Sequence, residues 1–355
     1  MRIAMLAPIC ESTPPRAYGG IERVAALLVD GLVSRGHHVT LYATGNSLSH
    51  ASELSATEEL PLRVQALDPW MHEAATFLHL VKAVQGHDAF DIWHNHHGYP
   101  GLALGELVNA TMLTTVHGPI FSPHARYYQA FGSHPLVTIS HAQRLDAPHL
   151  NYVANVYNGI ETARYDLGLR QDYLLFLGRM AEEKGPHLAI EAAHQAGLPL
   201  VMAAKVDPSD RAYFETRVAP HIDGTSVRFV GEVQGAAKRR LLQGALALLH
   251  LVQWPEPFGL VLVEAMACGT PVVAMRQGAI PEVVTHGETG FVVETLAEAV
   301  EAIACVSALD PKRCRDEAKR RFDVARMVSD YERVYEEIAS RRVTIHPRVR
   351  SHWDA

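Results

Sequence analysis

The 355-residue chain is predicted to be a parallel α/β protein with two domains. Three observations predict this. Apolar runs alternate with helical patterns almost from end to end, as when strands are joined by crossover helices. The alternation breaks into polar, irregular sequence over residues 151–170, then restarts with a fresh strand, a glycine and a new helix. Finally, the length and a hydrophobic content of 48% suit two cores of ordinary size.

The elements follow in order. Residues 2–8 read as the first strand and 21–35 as a helix with apolar positions at helical spacing, ended by Gly36. Residues 39–43 form the next strand, 77–85 a helix, 92–94 a short strand, and 111–116 and 136–140 buried strands. Loops at 47–61 and 121–134 carry no readable pattern. In the second half, residues 173–177, 200–204, 227–230, 247–251, 271–274 and 290–293 read as strands with helices between them. The last helix, 324–342, has its apolar positions on one side. The expected divisions are 1–165, 166–323, the helix 324–342, and a tail 343–355 without periodicity, expected to be mobile.

Composition narrows the function. A net charge of −7 makes nucleic acid an unsuitable partner. Basic residues gather late, in Lys312-Arg313, Lys319-Arg320-Arg321 and Arg341-Arg342, and read as solvated helix faces. A weak contact with an anionic membrane surface is the lesser alternative. The four cysteines, Cys10, Cys268, Cys305 and Cys314, lack CxxC spacing, so neither a zinc site nor a disulfide framework is indicated. The opening MRIAMLAPI reads as a strand and not a signal peptide, and no apolar run could span a bilayer. A cytoplasmic location is expected.

The most informative stretch is WPEPFGLVLVEAMACGTPVV, residues 254–273. Pro257 pushes Glu256 towards extended geometry, so Glu256 should lie in a loop. Gly259 should open a helix, with Glu264 about one turn inside it. A glycine at a helix N-terminus lets a phosphate approach exposed backbone N–H groups. One loop carboxylate and one helix carboxylate would then bracket a bound nucleotide sugar. Here the sequence resembles the retaining GT-B glycosyltransferases of family 4, whose E-x7-E signature reads as Glu256 to Glu264. The resemblance runs from Arg2 to about Arg342. It implies two Rossmann-like domains facing each other across a cleft, with the final helix crossing back onto the first domain.

It also assigns roles. Leu177-Gly178-Arg179 followed by Glu183-Lys184-Gly185 matches the family's G-R…K-G element, in which Arg179 and Lys184 grip the donor diphosphate. Cations placed there stabilise charge as it develops on the leaving group. Glu264 would hydrogen-bond the ribose hydroxyls, and Glu256 the donor sugar near the reacting carbon, by positioning and electrostatic stabilisation and not as a nucleophile. Phe258, Gly259 and Leu260 complete the donor contacts. Val233 and Lys238 resemble the family's base-binding strand end, although Lys238 equally suits a solvated turn. Tyr18-Gly19-Gly20 resembles the glycine turn that approaches the diphosphate from the first domain, and His117 stands where family members place a histidine against the donor sugar. One departure is that the family's glycine after 200–203 is replaced by Ala204-Lys205-Val206-Asp207. Lys205 and Asp207 could line the nucleotide pocket or pair on the surface.

The cluster His94-Asn95-His96-His97 invites a metal reading, since His94 and His96 share a strand face. No Asp, Glu or Cys stands at zinc-ligand spacing, so lining of the acceptor cleft is preferred. Asp88-Ala89-Phe90-Asp91 is not a DxD, and its carboxylates are expected to flank a strand start.

The expected activity is therefore a retaining, metal-independent transfer of a hexose from an NDP-sugar, UDP-glucose or a related UDP-hexose, to a hydroxyl acceptor, with no cofactor. Two rivals stay open. One is a GT-B nucleotide-sugar epimerase, which would need acid/base groups on both faces of the sugar. The other is a non-catalytic nucleotide-sugar-binding subunit. The acceptor and the oligomeric state are not legible.

Overall fold

The computed structural model describes residues 1–16, 18–85, 90–108 and 110–342. The tail 343–355, Asp88 and Ala89 lie outside the described residues. Two parallel sheets organise the chain. The first contains β1 (Arg2–Leu6), β2 (His38–Tyr42), β3 (Glu53–Ser55), β4 (Ile92–Asn95), β5 (Thr111–Val116), β6 (Leu136–Thr138) and β7 (Tyr152–Asn155), in spatial order β3-β2-β1-β4-β5-β6-β7. The second contains β8 (Leu174–Arg179), β9 (Leu200–Lys205), β10 (Val227–Gly231), β11 (Ala247–His250), β12 (Val272–Met275) and β13 (Gly290–Val293), in order β10-β9-β8-β11-β12-β13. Every neighbouring pair is parallel. Strands covered on both faces by helices are apolar throughout, which is why continuous runs such as Leu200–Ala204 marked them in the sequence.

Strand order reverses direction between β1 and β4 in the first sheet and between β8 and β11 in the second. Ligands of open α/β sheets bind outside the carboxyl ends of strands at such switch points. In the second domain the helices Pro186–Ala196 and Leu296–Cys305 cover one face, while Leu260–Ala267 and Pro311–Phe322 cover the other.

The last helix, Val324–Arg342, packs on the first domain, as expected for a helix that crosses back. Val328, Tyr331 and Tyr335 are buried among Val24, Leu28 and the β1–β2 core. Gly31 makes this approach feasible, because a Cβ there would stand 2.4 Å from Val328 Cγ2. Ile160 bridges to Asp323, so the chain's departure from the first domain and its return lie side by side.

Two elements differ from the expectation. The helix predicted at 77–85 spans Pro69–Val84, because Asp68 caps it through Met71 N at 2.9 Å and Pro69 occupies its first turn. Its first half leaves Trp70 and Met71 exposed, so no amphipathic period betrayed it. The segment 151–170, read as irregular, contributes β7, the edge strand of the first sheet. Its side chains are only half-buried, which removes the apolar run that marks inner strands. Among the described residues no helix is long and apolar enough to cross a membrane.

Arg313 and Arg320 lie on solvated helix faces, paired with Glu288 and Glu317, whereas Arg321 turns inward to the carbonyls of Val283 and Glu282; the side chains of Arg341 and Arg342 lie outside the described residues. All four cysteines are unpaired. Asp91 accepts from Arg2 N at 2.7 Å, flanking the starts of β1 and β4.

Candidate active site

Residues from both halves of the chain enclose a cavity of about 510 Å³. The residues predicted to hold the donor line it: Gly19, Gly20 and His117 from the first domain, and Gly178, Arg179, Lys184, Val233, Lys238, Glu256, Phe258, Gly259, Leu260 and Glu264 from the second. Tyr18 N donates to Glu232 Oε1 at 3.0 Å, so the first glycine turn is tied directly to the opposite domain. Glu282 adds a second tie, accepting from His141 N at 2.8 Å, Ala142 N at 2.7 Å and Tyr157 Oη at 2.9 Å.

Glu256 sits in the loop after β11, as Pro257 requires, and is buried. Its Oε2 accepts from Lys184 Nζ at 2.7 Å and Trp254 Nε1 at 2.9 Å, with His250 Nε2 at 3.5 Å. The Lys184 ammonium also lies 4.3 Å from the centre of the Trp254 ring. Burial pushes the Glu256 carboxyl up, but His250 and Lys184 outweigh it and hold it at about 2. Glu256 is therefore a firmly ionised carboxylate of low basicity.

Gly259, at φ 83°, turns the chain into the helix Leu260–Ala267 in a left-handed conformation open to glycine. Five residues after Gly259, Glu264 is almost wholly buried at 1% exposure. Lys238 Nζ lies 2.5 Å from its Oε2, and Tyr165 Oη donates to its Oε1 at 3.0 Å. Lys238, expected beside a base, thus reaches the helix carboxylate. Arg179, at the end of β8, pairs with Glu183 and stands 3.4 Å from Asp210 Oδ2. Lys205 and Asp207 pair with each other while Lys205 also lines the cavity, so the two readings of that departure coexist.

On the first-domain wall, Glu11 pairs with Arg63, and burial lifts the Glu22 carboxyl to about 7. The histidine cluster departs from its expected place. His94, His96 and His97 do not line the cavity; His94 and His96 are buried, with ring centres 4.1 Å apart, and of these four first-domain histidines His117 is the one that lines it. Because β4 is an inner strand, side chains on either of its faces enter the core. Among the described residues no group of three or more His, Cys, Asp or Glu is arranged to hold a metal.

Sequence reasoning passed over Tyr165, His250, Trp254, Glu11, Glu22 and Arg63. His250 was findable, because it ends a parallel strand on the ligand side of the sheet. Tyr165 lies in irregular sequence and arrives only by folding.

Two family models match the chain. Glycosyltransferase Family 4 matches residues 18–164, and Glycosyl transferases group 1 matches residues 160–321. The chain is 27% identical to the glycogen synthase of Mycobacterium tuberculosis over 94% of its own length and 91% of the relative's. It is 26% identical to the phosphatidyl-myo-inositol mannosyltransferase of the same species, over 96% and 97% of the two chains. Among solved structures, sucrose-phosphate synthase from Thermosynechococcus elongatus superposes with a TM-score of 0.80 at 20% identity, covering 96% of this chain and 100% of that one. Anabaena HepE in complex with UDP and glucose gives 0.76 at 19% identity, covering 95% and 100%. At these identities the structural likeness speaks for the fold.

Proposed function

The chain belongs to the GT-B glycosyltransferases of family 4, and on that premise we propose that it transfers a hexose from a UDP-sugar to a hydroxyl acceptor with retention and without a metal. The observation that carries this reading is the convergence, in one cavity, of two cations, two buried carboxylates and the opposing glycine turn and histidine. Relatives support the donor class: Anabaena HepE binds UDP and UDP-glucose, and the mycobacterial relative is named a glycogen synthase.

In this reading Glu264 takes the ribose hydroxyls, with Lys238 and Tyr165 fixing its orientation. The N–H groups at the start of Leu260–Ala267 and the Arg179 and Lys184 cations receive the diphosphate. As the glycosidic bond stretches, negative charge gathers on that diphosphate, and preplaced cations lower the barrier because they need no reorganisation when the charge appears. Arg179 must release one carboxylate partner to do so, whereas Lys184 has spare N–H donors beside Glu256. Glu256, with its low basicity, suits hydrogen bonding to sugar hydroxyls and stabilising an oxocarbenium ion better than nucleophilic attack. The acceptor hydroxyl then enters on the face the diphosphate is leaving and passes its proton to the departing diphosphate oxygen.

UDP-, GDP- and ADP-hexoses should be screened by thermal shift, followed by product anomer assignment by NMR. Stabilisation by UDP-hexoses and an axial product from an α-donor are expected. A C2 epimer formed from the donor alone would support the epimerase instead, and donor binding without turnover the non-catalytic subunit.

A further inference from the structure

The histidine cluster, left without a task once it is removed from the cavity wall, forms a continuous buried network. Tyr335 Oη lies 2.6 Å from His94 Nδ1, and Thr115 Oγ1 lies 2.7 Å from His94 Nε2 and 2.8 Å from Tyr331 Oη. His94 lies against His96 with the two rings tilted by 41°, and His96 Nδ1 lies 2.8 Å from His117 Nε2. Both tyrosines belong to the crossover helix Val324–Arg342, so the network runs from that helix through β4 and β5 to the cleft. Burial holds His94 and His117 at about 3 and His96 well below its ordinary value, and neighbouring histidines lower His94 and His96 further. Three neutral rings share the space, each with one N–H.

That single N–H has a preferred position. The buried Nε2 of His96 has no hydrogen-bond partner. If His96 carried its hydrogen there, a buried donor would be orphaned, which is rarer and costlier than a bare acceptor. The hydrogen therefore belongs on Nδ1, where it is donated to His117 Nε2. His117 must then carry its own hydrogen on Nδ1, the nitrogen with no protein partner among the described residues, on a ring that lines the cavity. The ring is also held by its stack on His96, with centres 5.1 Å apart.

We propose that His96 is a positioning residue that fixes His117 as the Nδ1–H tautomer, so that the cleft receives a neutral hydrogen-bond donor and not a base. The inference rests on the reading of His117 as a donor-sugar contact, since it says in what form that contact is made. A sugar oxygen is the matching partner, and the bond forms with no prior proton transfer. The tyrosines of the crossover helix hold His94, which backs His96, so the helix braces the site from outside the cleft.

Histidine tautomers are read directly by two-bond 1H–15N correlation on 15N-histidine-labelled protein, assigned with His94, His96 and His117 variants. Wild type should show His117 protonated at Nδ1. His96→Asn places an amide donor where Nδ1 stood and should keep both the tautomer and most of the turnover. His96→Leu removes the bond that fixes the His117 tautomer, so the Nε2–H form should appear beside Nδ1–H, and kcat should fall by roughly three-fold with little change in donor KM, the worth of one weakened hydrogen bond. A wild-type His117 protonated at Nε2 overturns the proposal even if no variant folds, as does His96→Leu with unchanged tautomer and kcat. If instead the tautomer shifts as expected but His117→Ala leaves turnover unchanged, the sugar-contact reading fails and the tautomer assignment stands.

Discussion

Removing the Glu264 carboxylate should weaken UDP binding by an amount that depends on the ribose hydroxyls. Two hydrogen bonds to an unshielded carboxylate would total about 3–6 kcal/mol. In this site Lys238 Nζ already stands 2.5 Å from Oε2 and Tyr165 Oη 3.0 Å from Oε1, so the acceptor's charge is largely satisfied before the nucleotide arrives. Values near those of neutral bonds, about 1 kcal/mol each, are the better measure. Glu264→Ala should therefore cost about 2 kcal/mol, roughly 30-fold in Kd by calorimetry. The variant also frees Lys238 beside the nucleotide, which could mask part of the loss through the diphosphate. The comparison with 2′,3′-dideoxy-UDP removes that ambiguity. Wild type should bind the dideoxy nucleotide roughly 30-fold more weakly than UDP, while Glu264→Ala should bind the two alike. Tyr165→Phe, which loses one orienting bond, should fall between, roughly three- to five-fold weaker for UDP. Equal losses for UDP and dideoxy-UDP on deleting Glu264 would refute the ribose assignment.

Glu256→Gln should abolish most turnover and also destabilise the fold in a pH-dependent way. The folded carboxyl is depressed from 4.5 to about 2, so its stabilisation is complete above the unfolded value and is lost as pH falls through the folded one. Urea denaturation should show a gap from wild type of about 3 kcal/mol at pH 7, narrowing to about 2 at pH 3.5; a gap constant with pH would mean that packing and not charge is responsible. Activity is expected to persist in excess EDTA, since Arg179 and Lys184 supply the positive field, and loss restored by manganese would overturn this. Gly20→Val should reduce turnover far more than UDP affinity. A Cβ at Gly20 meets only Leu260 Cδ1, at 3.6 Å, so the backbone can accept it and the branched side chain projects where the diphosphate is proposed to lie; equal falls in both would place the glycine turn in the primary nucleotide site.

The sequence by itself determined the two-sheet α/β architecture, because inner parallel strands are apolar on both faces and announce themselves as continuous runs. Residues 200–204 and 247–251 illustrate this, and the edge strand β7, half-buried, escaped for the converse reason. The sequence also determined the donor side of the site, since Glu256, Pro257, Gly259 and Glu264 act through local backbone geometry, and local geometry follows from local sequence. Tertiary structure alone decided what those groups touch. The partners of Glu264 are 26 and 99 residues away, and those of Glu256 include a lysine 72 residues back. It alone moved His94 and His96 from the cleft to the core, because a strand's alternation tells which side chains share a face but not whether that face meets a cavity or another layer. The bond from His94 to Tyr335 spans 241 residues. Nothing in a linear pattern encodes such a pairing; it exists because the last helix returns to cover the first sheet.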